Sequence, residues 1–343
     1  MGKKLILLML VLALLCGTSA LGAPFTDSLG RTVDMPDEVS RVAVSGPLAQ
    51  ITLFALAPDA LVGLSSAWDA SATEFIGKYS GLPLLGQLYG GKGEMNLEEV
   101  IASQAQVIID VGEPKKSAKA DLDDLQAQVG IPFIHVTMTT ETAGDAFRQL
   151  GALLDRGQAA ETLATYCEDT YARVQAIMDK VGEKRVRVLY CLGDAGLNVI
   201  AKGSYHAEVI DMISDNVAVV AEPTSKGTGN EVDMEQIMLW NPDFIVFAKD
   251  SIYDTVQEDP AWQSLPAIAK GRYVEAPVGP YNWMGFPPSV QRYLGMLWLE
   301  QVLYPELADY DLYEEVANYF DLFYHCTLTR AQFDRLTQDA FPR

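Results

Sequence analysis

The chain spells one short pattern twice. Asn96-Leu97-Glu98-Glu99-Val100 precedes the apolar run Val107-Ile108-Ile109, and Asp233-Met234-Glu235-Gln236-Ile237 precedes Phe244-Ile245-Val246, at an offset of 137 residues. In both copies the glutamate stands nine residues ahead of the apolar run. Each copy opens on Asn or Asp, whose short side chain accepts one of the free N–H groups at a helix start. Glu99 or Gln236 follows three residues later, in the manner of a capping box. A cap, a short helix and a buried strand used twice predict two related α/β lobes. The lobe openings agree with this: residues 41–45 (RVAVS) and 184–191 (KRVRVLYC) both set a basic residue before Val-x-Val.

Between the copies lies one long amphipathic stretch, residues 159–180. Ala159, Leu163, Tyr166, Thr170, Val174, Ile177 and Met178 recur at helical steps, while Glu161, Glu168, Asp169, Arg173 and Lys180 fall largely elsewhere. At 1.5 Å per residue such a helix spans roughly 33 Å, enough to carry the chain from one lobe to another. The expected division is therefore a leader at 1–20, an N-terminal lobe at 21–142, a connecting helical segment at 143–184 and a C-terminal lobe at 185–343. Within the first lobe a hairpin turns at Gly30, and short apolar strands at 41–45, 61–64, 107–111 and 131–136 alternate with helices. Continuous rather than alternating apolar strands imply parallel sheets covered on both faces. In the second lobe a long apolar helix at 290–303 is followed by terminal helices expected to pack on it.

The first residues set the compartment. Lys3 and Lys4 precede an apolar run from Leu5 to Leu15, with Thr18 and Ala20 at the small-residue positions of a signal-peptidase site. The run is shorter than the ~20 residues a retained membrane helix needs. Export with cleavage after Ala20 is the expectation. A lipid anchor through Cys16 is the alternative, although Leu15 before it is larger than the usual small residue. The formal charge of −21 argues against nucleic acid and against anionic membrane, and leaves a basic docking partner open. Cys167, Cys191 and Cys326 are odd in number with no CxxC spacing, so they read as small apolar side chains rather than a disulfide framework.

Ligands of parallel sheets sit outside the carboxyl ends of the strands, so two such lobes on one helix leave a cleft between them. The loops facing it carry Trp68, Tyr89, Tyr205, Asn230, Tyr281, Asn282 and Trp283, which suits a bulky, partly planar ligand better than a small ion. Pro280, Gly285, Pro287 and Pro288 mark the Tyr281–Trp283 segment as an exposed loop, and Arg292 beyond it is in reach of an anionic ligand. The three histidines, His135, His206 and His325, form no pair at ligand spacing, so no direct protein metal site is expected; His135 reads as a satisfied core residue. A tyrosine among Tyr89, Tyr205 and Tyr281 is a hard-oxygen ligand for Fe(III), with stacking or core packing as the plainer role. Residues 86–92 (GQLYGGK) match the letters of a phosphate-binding loop, but Gly93 stands where Ser or Thr must hold magnesium. No GxSxG, HExxH or dinucleotide fingerprint is present, so no catalytic residue is assigned.

These residues resemble a known family. TDSLGRTVDMP with RVAVS, MNLEEVI followed by VIID, and VDMEQI followed by NPDFIVF are similar to the periplasmic substrate-binding proteins of ABC importers for iron chelates, haem and cobalamin. The resemblance covers nearly all of the chain after the leader. It implies two α/β lobes bridged by one long helix, little flexing on binding, and no intrinsic cofactor. The implied ligand is an iron complex, haem or corrinoid, and the implied partner is a permease dimer with its ATPase subunits. It also implies that Glu98 and Glu235 pair with permease arginines; on residues alone, an acid in the first turn of a helix is stabilised by the helix dipole without a partner. Where the family often has Glu in the helix after the first strand, this chain has Gln50. An exported sensor receptor or an enzyme on the same two-lobe fold is the alternative reading.

Overall fold

The computed structural model describes residues 23–89, 94–249 and 251–342. The expected leader, Cys16 and the last residues of the glycine-rich loop lie outside the described residues. A hairpin opens the fold, β1 (Phe25–Thr26) against β2 (Thr32–Val33), turning at Gly30 with φ 71°. Asp27 closes the turn by accepting the Leu29 and Arg31 N–H groups at 3.0 and 2.9 Å.

The N-terminal lobe is built on a parallel sheet in the order β3 (Val42–Val44), β4 (Val107–Gly112), β5 (Phe133–Thr137). These strands are apolar on both faces because helices cover both. Helix α1 (Pro47–Leu56) leaves β3 with Pro47 in its first turn, where the missing N–H costs nothing. Further along, Leu97–Ala102 forms α2 and Ala143–Leu153 forms α3.

Residues Gly157–Val181 form α4, an unbroken helix of 25 residues with no break at Asp169. Its buried face runs through Leu163, Tyr166, Thr170, Val174, Ile177 and Met178 as the periodicity requires, but Ala160 is buried and Ala159 exposed. Helix α3 lies back along α4. The contact is so close that a Cβ on Gly151 would stand 2.2 Å from Ala160 Cβ, and one on Gly144 would stand 2.4 Å from Glu168 Oε1.

The C-terminal lobe has a six-stranded sheet: β6 (Arg187–Leu192), β7 (Asn198–Val199), β8 (Asp215–Asn216), β9 (Asn230–Glu231), β10 (Phe244–Phe247) and β11 (Tyr273–Glu275). Strands β6, β8, β10 and β11 are parallel, as expected, while β7 and β9 are antiparallel additions. The reason is local: β6 turns straight back at Gly193 and Gly196, with φ of 76° and 69°, and a hairpin return can only be antiparallel. Helix α5 (Met234–Trp240) precedes β10 as α2 precedes β4.

The repeat is thus structural. Asn96 and Asp233 both cap their helices, accepting the Glu99 and Gln236 N–H groups at 3.2 and 2.8 Å. Val100 and Ile237 are both fully buried, and both helices end at a left-handed residue, Gln104 (φ 55°) and Asn241 (φ 44°). Only the first half of the expected capping box is formed at these helices; the reciprocal bond is made at Thr329 and Gln332.

After the apolar helix α6 (Arg292–Leu303), helix α7 (Leu312–Tyr324) packs on it as expected and also reaches the first lobe. Phe320 meets Phe75 at 4.9 Å, Phe323 meets Phe147 at 6.1 Å, and His325 Nε2 lies 3.0 Å from the Phe54 carbonyl. Arg173 of α4 holds Glu315 of α7 with bonds of 2.6 and 2.8 Å. One apolar core therefore runs through both lobes, from Val44 and Ile109 to Val188 and Val246. Cys167 and Cys191 are buried and Cys326 is half-buried, all three free, and burial raises each thiol pKa.

Candidate ligand cleft between the lobes

Segments that follow β3 and β5 in the first lobe meet segments that follow β7 and β11 in the second. A recess there is lined by Leu48, Met138, Thr139 and Thr140 from the first lobe and by Tyr205, Pro288, Ser289 and Arg292 from the second. Tyr293, at its base, donates to the Thr140 carbonyl at 2.6 Å and ties the lobes beneath it.

Arg292 organises the C-terminal wall. Its guanidinium forms an ion pair with Glu208, donates to the Tyr205 carbonyl at 2.6 Å and lies 5.3 Å from the Tyr205 ring centre. Gly285 lets it in: a Cβ there would stand 2.7 Å from Arg292 Nε, at a φ of 98° that side chains rarely adopt. The Arg292 Nε hydrogen has no acceptor among the described residues. Tyr205 is a half-buried phenol facing N-lobe acids. Burial raises its pKa, Arg292 opposes that, and Glu113, Glu208 and Asp110 add to the rise.

Beneath the N-terminal wall runs a chain of buried polar groups that strand register assembles. Ser45 follows β3 and donates to Asp110 of β4, whose other oxygen lies 2.6 Å from His135 Nδ1 on β5; His135 Nε2 in turn lies 3.2 Å from Thr137 Oγ1. His135 is only 1% exposed, so the expected satisfied core role holds. Neither Ser45 nor Asp110 stands out in the sequence, because the parallel pairing alone brings them together.

At the other end of the cleft the lobes touch through Trp68 and Tyr281, ring centres 5.6 Å apart. Gln50 is fully buried and joins the same loops. Its carbonyl accepts from Ser65 N, Ser65 Oγ and Ser66 N at 2.8, 2.9 and 3.3 Å, and its amide donates to Tyr281 Oη at 3.5 Å. The indole N–H of Trp68 is buried without an acceptor among the described residues. Burial raises the Tyr281 pKa, with Gln50 opposing.

The remaining expected contacts are placed differently. Trp283 is fully buried and donates to the Gly279 carbonyl at 3.0 Å, which corrects the expectation of an exposed loop around it. Gln291, also fully buried, pulls that loop inward by donating to Gly279 and Tyr281 carbonyls while accepting from Tyr324 at 2.7 Å. Asn282 is spent within the same region, on Tyr190 Oη at 3.2 Å and Met284 N at 2.8 Å. Asn230 clasps its own loop through Thr224 N and the Glu222 carbonyl. Tyr89 donates to Asp121 at 2.8 Å. His206 stacks on Phe286 at 4.6 Å with its pKa lowered by burial. Glu98 and Glu235 lie exposed on α2 and α5, away from this set.

The profile of the periplasmic binding proteins matches residues 53–278. This chain is a periplasmic binding protein. Among curated proteins none matches it. Among solved structures, the binding protein is similar to an ABC transporter solute binding protein of Sulfurospirillum deleyianum, at 26% identity and a TM-score of 0.84 over 92% of this chain and 99% of that one. A periplasmic solute binding protein of Veillonella parvula is 24% identical, with a TM-score of 0.77 over 93% of this chain and 98% of that one. The Haemophilus influenzae protein MolA, solved with molybdate, shares the fold at 19% identity and a TM-score of 0.70, covering 90% of this chain and 99% of that one. No helix among the described residues of the binding protein is long and apolar enough to cross a membrane.

Proposed function

We propose that this binding protein is the exported solute receptor of an ABC importer, capturing an iron complex, haem or corrinoid by reversible binding and delivering it to a permease dimer with its ATPase subunits. The observation that carries the reading is the interlobe recess, where Tyr205, fixed by Arg292, faces the first lobe while Trp68 and Tyr281 meet at the other end. Aromatic faces with a few fixed polar groups select a partly planar chelate. Tyr205 and Tyr281 are then contact and orienting groups, since burial keeps each a neutral phenol. Glu98 and Glu235 dock the permease. Capture without turnover distinguishes this from an enzyme on the same fold, and stimulation of a permease ATPase distinguishes it from a sensor.

The test is the absorption spectrum and native mass of protein purified from its own host. A Soret, corrin or catecholate charge-transfer band with a matching mass increment is expected; a chelate consumed during incubation would overturn the reading. A second reading, an oxyanion, draws on the cationic Arg292 in the recess wall and on the molybdate in MolA. Calorimetric titration with molybdate against ferric chelates separates the two. Sequencing the mature N-terminus decides between cleavage after Ala20 and lipidation at Cys16.

A further inference from the structure

Trp68 holds a donor that the chain itself does not use. Two buried tryptophans of the second lobe each find a backbone carbonyl, Trp283 that of Gly279 at 3.0 Å and Trp298 that of Ala340 at 2.8 Å. Trp68 is 8% exposed, yet its indole N–H is buried with no acceptor among the described residues. A buried donor left unpaired is costly and calls for a partner from outside the chain. The neighbouring carboxylate does not serve it, because Asp69 accepts from Ser71 N and Ser71 Oγ at 2.8 and 2.6 Å.

The ring is also placed where the lobes meet. It packs against Phe54 of its own lobe at 5.1 Å, and against Tyr281 of the other at 5.6 Å with a tilt of 43°. Gln50 on α1 holds both sides of this contact. Its carbonyl takes three bonds from Ser65 and Ser66 at the root of the Trp68 loop, while its amide reaches Tyr281 Oη by one long bond of 3.5 Å. The Trp68 side is therefore fixed, and the Tyr281 side is lightly held.

We infer that Trp68 and Tyr281 form an aromatic clasp, that a planar edge of the ligand enters between them, and that the Trp68 N–H donates to a carbonyl or carboxylate oxygen on that edge. The inference rests on the receptor reading above and adds a selection rule to it: the chelate bound best carries an oxygen acceptor at the rim of its planar part. A group held on both faces needs the rings about 7 Å apart, twice the ~3.5 Å contact distance of carbon atoms. From 5.6 Å, Tyr281 moves off Trp68 by roughly 1.5 Å, and the long Gln50 bond is the one that yields. Gln50 is a positioning residue in this arrangement, acting through Trp68 and Tyr281.

The test uses the mature protein, with haemin, cyanocobalamin and a ferric tricatecholate as probes titrated by calorimetry. Trp68→Phe keeps a ring in the clasp and removes the N–H, so affinity for the probe that binds should fall roughly tenfold, the worth of one hydrogen bond. Its unfolding temperature is the folding control. In isotope-labelled parent protein the indole N–H resonance of Trp68, identified by its loss in Trp68→Phe, should move downfield when the probe is added. Those of Trp283 and Trp298 should stay, since both are already bonded. If Trp68→Phe binds like the parent, or if the Trp68 resonance ignores a probe that binds, this inference is wrong and the receptor reading stands. If none of the three probes binds the parent, the chelate reading fails and the clasp with it.

Discussion

Arg41 and Arg187 do the same work in different lobes. Arg41 donates to the carbonyls of Ser103 and, at 3.1 Å, Gln104; Arg187 donates to those of Trp240 and Asn241 at 2.5 and 2.9 Å. Arg41 immediately precedes β3 and Arg187 opens β6, the first parallel strand of each lobe, and each clamps the last carbonyls of the acidic helix, where cations complement the helix dipole. Arg41→Ala or Arg187→Ala should loosen that helix, lowering stability by about 1 kcal/mol and weakening docking, while ligand affinity stays constant. Equilibrium denaturation, docking affinity and ligand titration on each variant check this.

Glu300 is a buried carboxyl in α6 whose pKa burial pushes up to about 8, with the Tyr310 hydroxyl bond and Arg173 opposing. A raised carboxyl pKa favours the protonated fold. The contribution is full below the ordinary carboxylate range and is lost as pH rises toward 8. The parent should lose stability between pH 5 and 8, on the order of 4 kcal/mol from this group. Glu300→Gln should flatten that slope, as read by melting temperature across the same range.

Gly151 sets how closely α3 approaches α4. With an added Cβ only 2.2 Å from Ala160 Cβ, Gly151→Ala should cost about 2 kcal/mol through overpacking. Ala160→Gly in the same chain should recover part of it, and a double-mutant cycle in urea measures the coupling.

Gln50 satisfies two backbone N–H groups and one hydroxyl from the Ser65–Ser66 turn. Gln50→Leu leaves them buried without an acceptor, so a loss of roughly 2 kcal/mol in stability is expected. Because the same side chain reaches Tyr281, ligand affinity should fall as well, which separates it from the arginine variants above.

The repeat, the connecting helix and the two caps were legible because each depends on residues within a few positions of one another. The strand-opening match needed adjustment: Arg187, two residues beyond Arg185, is the true counterpart of Arg41, since β6 pairs Val188 with Phe244 as β3 pairs Val42 with Val107. The cleft was legible only in outline. Proline and glycine around Trp283 read as an exposed loop, yet Gln291 and Tyr324 bury it, and neither bond has a local signature. The Ser45, Asp110 and His135 chain likewise exists only after three strands are set in register.

Helix α7 belongs to the second half of the chain but rests on Phe54, Phe75 and Phe147 of the first and packs against α4 through Glu315 and Phe323, so the lobes are fastened together by α4 and α7 side by side. The distance between the two acidic helices therefore depends on the packing of α4 and α7 as much as on either lobe.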